Sequence, residues 1–384
     1  MKCLFVVSDF NIGGITSSLK NLCNELISRG HEIYILNLPK VSKLPDGFHK
    51  GIHLIELDKR SRMWNFGMED LKKYSNIKKF PMIIFAVFKK ILNKVGKWHD
   101  FVFKNMPVMS EFDIAIGFRQ GPVNYYIVKN KTLGAKKVGF WHGDPDYMGD
   151  TSSWDSCVYD MDLIAGVSNA VCEGMLCHYP MLKGKLRTVY NIFDCDSIRE
   201  QADEYNPDYK EGVFNIVTVS RIELFLSKNN NRIPNICKKI KEDGKLFHWT
   251  VVGDGKDKEK LSQIITENNL EKEITLVGAK KNPYPYIKNA DLFVLTSTTE
   301  SYGMVVMESL ILGTPVVAGD YPALKEILED NFGIIAENST DGIYCAIEKI
   351  LNDDKLYKEM KNNCMNYNYS TDKTYEQFLS LCGD

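Results

Sequence analysis

The chain is 384 residues long, 26% charged and 44% apolar, with a formal net charge of −2. That length admits two domains, and the composition excludes a disordered, collagen-like or low-complexity chain. The charge is uneven: residues 1–195 carry 26 Lys and Arg against 19 Asp and Glu (+7), and residues 196–384 carry 22 against 31 (−9), which points to one face that meets something anionic.

No stretch reaches the ~18 apolar residues that span a bilayer. The apolar run Met1–Val7 is too short for a secretory leader and is followed at once by Ser8-Asp9. Ten scattered cysteines without a Cys-x-x-Cys pair lead us to expect reduced thiols in a cytoplasmic protein. Seven dispersed histidines give no ligand spacing, so no metal site is expected.

In chain order, Cys3–Val7 reads as a buried strand. Gly13-Gly14 follow in a loop, and a helix over 16–29 carries Leu19, Leu22, Cys23, Leu26 and Ile27 on one stripe. Strands are predicted at 31–38, 113–117, 137–141 and 163–167. Residues 196–212, polar with Pro207 and Gly212, read as a linker. The pattern then restarts, with strands at 215–219, 249–252, 274–277, 292–295 and 315–318 and helices at 256–268 and 304–312. Strand, helix, strand at this spacing predicts an α/β fold with two Rossmann-like lobes and a cleft between them. The expected division is a first lobe at 1–195, a linker at 196–212, a second lobe at 213–369 and a final helix within 370–384.

The segment from Thr299 to Glu308 is the most informative. Glu300 lies at the mouth of a strand-to-helix loop and Glu308 inside the following helix. Amides near Gly303, Met304 and Val305 open that helix, and a helix N-terminus attracts phosphate. Two carboxylates flanking a phosphate cradle suit a sugar nucleotide, whose hydroxyls bind acids and whose diphosphate binds amides.

With Glu300-x7-Glu308 stand Val251-Val252-Gly253-Asp254-Gly255, Ser220-Arg221 with Lys228, Leu310-Ile311-Leu312-Gly313-Thr314-Pro315, Asn11-Ile12-Gly13-Gly14, Trp141-His142 and Val189-Tyr190-Asn191-Ile192-Phe193-Asp194. In this joint order the chain resembles the retaining, nucleotide-sugar-dependent glycosyltransferases of family 4, which have the GT-B fold. Lys281-Asn282-Pro283-Tyr284-Pro285 is most similar to the bacterial capsular, exopolysaccharide and lipopolysaccharide transferases among them.

The resemblance implies a donor that is a UDP-sugar or GDP-sugar, no required cofactor, and a glycan or lipid-linked acceptor. It gives Arg221 and Lys228 to the phosphates, Glu300 to donor-sugar hydroxyls and Glu308 to the ribose. Gly13, Gly14 and Gly253 would let backbone approach the donor, and His142 would face the reacting sugar. A plain turn at Gly13-Gly14 and a structural His142 fit the same residues. The family spaces its Arg–Lys pair more tightly and follows the Lys with Gly; here six residues intervene and Asn229 follows.

Residues 72–104 hold nine Lys against one acid, Asp100, interleaved with apolar and aromatic side chains. Such a basic amphipathic stretch fits peripheral contact with an anionic membrane, and also fits a helix packed by its apolar stripe. The patch has no Arg and no recognition module, so nucleic acid is not expected. Two other functions remain open on this fold: a non-catalytic nucleotide-sugar-binding partner of another transferase, and a nucleotide-sugar epimerase or phosphorylase.

Overall fold

The structure is a computed structural model that describes residues 1–10, 13–38, 43–58, 60–65, 76–94, 96–149, 154–328 and 331–383. Two parallel sheets organise them. The first holds β1 (Lys2–Val7), β2 (Glu32–Asn37), β3 (His53–Glu56), β4 (Ile114–Gly117), β5 (Lys136–Trp141), β6 (Leu163–Gly166) and β7 (Leu186–Thr188), in the order β3-β2-β1-β4-β5-β6-β7. The second holds β8 (Phe214–Val219), β9 (Phe247–Val252), β10 (Ile274–Gly278), β11 (Leu292–Leu295), β12 (Val316–Gly319) and β13 (Gly333–Ala336), in the order β10-β9-β8-β11-β12-β13.

Each sheet therefore reverses direction once, between β1 and β4 and between β8 and β11. A ligand crevice opens beyond the carboxyl ends of the strands at such a reversal. The central strands are buried on both faces, which is why they read as unbroken apolar runs: Cys3 to Val6 in β1 and all of β11 and β12 are inaccessible or nearly so. All ten cysteines are free thiols, and no described helix is long and apolar enough to cross a membrane.

The lobes touch through polar and aromatic contacts beside the cleft. Glu326 of the second lobe accepts from the backbone N–H of Asn169 (2.8 Å) and Ala170 (2.7 Å) and from the Tyr190 hydroxyl (3.0 Å). It thus covers the N-terminus of the helix Asn169–His178, a favourable place for a carboxylate. Ser168, the cap of that helix, donates to the Ser301 carbonyl at 2.8 Å. Tyr302 stacks on Phe193. The last helix, Asp372–Leu379, lies on the first lobe: Phe378 and Leu381 are buried with Leu19, Leu22 and Val189, and Asp372 pairs with Arg29 at 2.6 Å.

Three readings of the sequence change. Within the expected linker, Cys195–Gln201 is helical, capped by the Asp194 side chain on the Ser197 N–H. Strands β3, β7 and β13 were not expected. Over 72–104 there are two helices, Asn76–Lys94 and Trp98–Val102; residues 72–75 lie outside the described residues, as do Asn11 and Ile12.

Candidate active site

A cavity of about 690 Å³ opens between the lobes, within the usual range for ligand sites. Its walls come from the carboxyl ends of strands in both sheets. Gly13, Gly14, His142, Arg221, Lys228, Gly253, Glu300, Gly303, Met304, Val305 and Glu308 all line it. The sequence also placed these residues on a ligand, and the fold brings all of them to one space. It gave no ligand role to Ser17, Asn191, Lys280 or Tyr284, which line the same space.

Two helix N-termini face each other across this cavity. Helix Gly14–Ser28 starts behind Gly13 and helix Met304–Ile311 starts behind Gly303, and neither has a side-chain cap. Ser168, Asp194, Ser339 and Asp353 cap other helices with their side chains, while helices away from the cavity such as Arg232–Glu242 and Asp372–Leu379 are likewise uncapped. The first N–H groups of a helix lack intrahelical partners, so the cavity holds donor groups and the positive ends of two dipoles. Gly303 has a left-handed backbone, φ 94°, which a residue with a Cβ rarely takes. A Cβ on Gly14 would come 3.5 Å from the Met304 side chain, so these two ends meet closely.

Gly253 lines the cavity, and Gly253 and Gly255 also serve the packing of two loops. The helix after β9 begins only at Lys258. A Cβ on Gly253 would lie 1.9 Å from the Ser220 carbonyl oxygen, and one on Gly255 2.2 Å from that of Ile222. Both glycines let the loop after β9 pack on the loop after β8, and this packing sets where Arg221 emerges.

The charged groups are already partly engaged. Lys228 donates to Glu300 Oε1, and Ser297 Oγ donates to the same oxygen at 2.7 Å. Arg221 is largely exposed and pairs with Glu223 at 3.0 Å. Lys228 therefore stands at the Glu300 end of the cavity, while the Arg221 fork can swing over its mouth.

Burial pushes the Glu308 carboxyl up to about 7, offset in part by the Tyr284 hydroxyl, which donates from 3.4 Å, and by the Lys20 charge. His142 is buried, and its Nε2 lies 2.7 Å from the Phe118 carbonyl. A carbonyl only accepts, so Nε2 carries the proton and Nδ1 of the neutral ring is an acceptor. Burial depresses this imidazole to about 4; the Phe118 bond opposes that shift and Arg119 adds to it. His142 is thus a neutral hydrogen-bonding group at neutral pH and not a proton donor.

Residues 203–366 match the family of glycosyl transferases group 1. The matched stretch contains Arg221, Lys228, Gly253 and the Glu300–Glu308 block. One relative is the N-acetylgalactosamine-N,N'-diacetylbacillosaminyl-diphospho-undecaprenol 4-alpha-N-acetylgalactosaminyltransferase of Campylobacter jejuni. It is 29% identical over 204 residues, covering 52% of this chain and 54% of the relative. The chain spans about half the length of the curated relatives it matches, or less.

Among solved structures, TarM of S. aureus, in complex with fondaparinux, alpha-GlcNAc-glycerol and UDP, superposes with a TM-score of 0.73 at 15% identity over 100% of both chains. Anabaena HepE in complex with UDP and glucose gives 0.68 at 16% identity over 99% of this chain and 98% of that one. These likenesses show that the chain has the GT-B fold.

Proposed function

We propose that the protein transfers a sugar from a nucleoside-diphosphate sugar to a growing, lipid-linked cell-surface glycan, with retention of the anomeric configuration. The observation that carries this reading is the pair of uncapped helix N-termini meeting in a cavity flanked by Glu300 and Glu308. A diphosphate fits between such ends, and each carboxylate then has hydroxyls within reach. The UDP held by TarM and HepE and the diphospho-undecaprenol in the name of the Campylobacter relative support the choice of donor and acceptor.

The chemistry follows from these groups. The N–H groups at Met304 and Val305 receive the diphosphate, with Arg221 and Lys228 adding positive charge. Ionised Glu308 accepts from the ribose hydroxyls. Lys228 and Ser297 both bond to Glu300 Oε1, and Oε2 takes a hydroxyl of the donor sugar. His142 Nδ1 accepts another. The bond between the anomeric carbon and the β-phosphate oxygen breaks, and the acceptor oxygen bonds to that carbon on the same face. The acceptor proton passes to the departing phosphate. Charge aimed at the leaving diphosphate is the largest lever for such a step, and no carboxylate serves as a nucleophile, unlike the retaining glycosidases.

The helix Asn76–Lys94 gives the protein its place on the cytoplasmic face of the membrane. Ile83, Ile84, Val87, Phe88 and Ile91 are exposed along it, with Lys90 and Lys94 beside them. An apolar stripe bordered by lysines suits an anionic bilayer surface.

Calorimetric titration with UDP, GDP and their common sugar conjugates tests the donor assignment, and slow release of free sugar from the bound conjugate tests for chemistry. Tight binding of one base with slow hydrolysis is expected. A protein that binds neither base, or that interconverts the donor sugar without acceptor, would end the transferase reading.

A further inference from the structure

A second cavity, of about 320 Å³, meets the donor cavity at one shared residue, Glu300. It lies on the far side of that carboxylate, between the loop after β5 and the loop after β12. Asp144, Asp146, Asp320 and Glu300 supply its acids, Tyr147 and Tyr321 its aromatic rings, and no Lys or Arg among the described residues lines it.

The partners of these groups define what can enter. Asp146 pairs with His178 at 2.8 Å, Asp320 with Lys325 at 2.9 Å, and Glu300 with Lys228. Asp144 has no cationic partner among the described residues; it accepts from Thr299 Oγ1 and from the Asp146 N–H at 3.1 Å. Carboxylates only accept, so an occupant must bring hydroxyl or ammonium donors. An anionic occupant would meet repulsion with no positive side chain in the lining.

Tyr321 gives a second, independent indication. The residue is 4% exposed and lines the cavity, yet its hydroxyl has no hydrogen-bond partner among the described residues. Leaving a buried hydroxyl unmade costs about 1–3 kcal/mol, and an occupant of the cavity can restore that bond. Burial and the nearby Glu300 charge hold this phenol in its neutral form. Tyr147, 64% exposed, offers a flat face at the rim, of the kind that covers the C–H face of a sugar ring.

We propose that this cavity is a second carbohydrate subsite, taking an uncharged or amino-bearing sugar residue of the acceptor and turning away anionic sugars. Assigning the occupant to the acceptor rests on the donor reading of the first cavity; the selectivity rests on the second cavity's own side chains.

The test uses the full-length protein with saturating UDP and saturation-transfer NMR. The probes are the methyl glycosides of glucose, galactose, N-acetylgalactosamine, galactosamine and galacturonic acid. At least one neutral or amino glycoside should receive saturation, and the galacturonide none. Tyr321→Phe and Asp144→Asn should each weaken that binding at least fivefold, with UDP affinity within twofold of wild type and an unchanged melting temperature. Equal binding of the galacturonide, no binding of any neutral or amino glycoside, or unchanged binding in both variants would overturn the proposal. Failure of the wild-type protein to bind UDP would strike the donor reading, and the glycoside signals would still decide the subsite.

Discussion

The Lys228 ammonium donates to Glu300 Oε1 between the loops that follow β8 and β11. Both side chains are mostly buried, at 21% and 14% exposure. The pair couples the group proposed for the phosphates to the group proposed for the sugar, so neither can be removed alone. Replacing Lys228 leaves Glu300 a buried carboxylate without its cation, which is costly, and withdraws charge from the leaving diphosphate. Lys228→Ala should lower turnover about 10²–10³-fold, the size found when one charge-stabilising donor is lost. Steady-state transfer or donor-hydrolysis rates measure this; a variant within threefold of wild type would exclude Lys228 from the chemistry.

Glu308 makes donor binding depend on pH. Its carboxyl is raised to about 7 by burial, while two ribose hydroxyls need the ionised form as acceptor. Binding should therefore release a proton near neutrality, and affinity should fall as pH drops from 8 to 6. A UDP-sugar, whose phosphates do not titrate in this range, isolates the effect in calorimetry run in two buffers of different ionisation enthalpy. Glu308→Gln should bind weakly at every pH and release no proton. The stability sign is opposite. A folded carboxyl raised above its ordinary 4.5 keeps a proton that the unfolded chain gives up. Its contribution is fully present below about pH 4.5 and is lost as pH rises through 7, roughly 3 kcal/mol in all. In urea melts Glu308→Gln should gain on wild type between pH 5 and pH 8; a constant difference would place the Glu308 carboxyl in its ordinary range.

The central strands were legible in the sequence, and three of the four edge strands were not; the fourth, β10, was read from its apolar residues Ile274, Leu276 and Val277. β1, β8, β11 and β12 lie inside their sheets and are covered on both faces, so they show as apolar runs. β3, β7 and β13 are edge strands. His53–Glu56 and Leu186–Thr188 have no fully buried residue, and Gly333–Ala336 is half-buried in its middle, so no run marks them. The site divides similarly. Glu300, Gly303 and Glu308 share one strand–loop–helix segment, so their relation is local. Asn191, Lys280 and Tyr284 reach the same cavity from other strand ends, and only the sheet order brings them there. The tautomer of His142 is set by the Phe118 carbonyl 24 residues away, which no spacing rule reports.

His142 should act without changing protonation state. Its imidazole stays neutral down to about pH 4, so it contributes no inflection to the kcat profile between pH 5.5 and 8. Nitrogen NMR of histidine-labelled protein should show one ring fixed with the proton on Nε2 throughout that range. His142→Ala should reduce kcat while leaving the UDP dissociation constant within twofold. A His142 ring that titrates near 6.5 would contradict the buried, carbonyl-bound geometry, and wild-type turnover in the variant would remove it from the sugar site.

Membrane contact through the helix Asn76–Lys94 has a signature in salt and in charge. Ile84 and Ile91 are 56% and 57% exposed, so Ile84→Glu with Ile91→Glu should leave the fold intact. The double variant should lose flotation with liposomes containing anionic lipid, and wild type should lose it progressively as salt screens the lysines. UDP binding should be unchanged in both. Flotation that is equal on neutral and anionic vesicles would show that the lysines take no part.

Glu326 joins the two lobes at one point, and its removal should loosen them. Its carboxylate accepts two N–H groups at the start of helix Asn169–His178 and the Tyr190 hydroxyl. Glu326→Gln keeps an acceptor but loses the charge facing the helix dipole; Glu326→Ala loses both. Loss of such an end-capping carboxylate costs about 0.5–2 kcal/mol, a modest share of total stability. The contact also spans the cleft, so opening should respond more than unfolding. Glu326→Ala should raise the radius of gyration of the unliganded protein in small-angle scattering, with UDP restoring the wild-type value, and should raise the donor KM more than it lowers kcat. Glu326→Gln should fall between. A scattering profile identical to wild type, with donor kinetics unchanged, would make this contact a local helix cap that does not hold the lobes together.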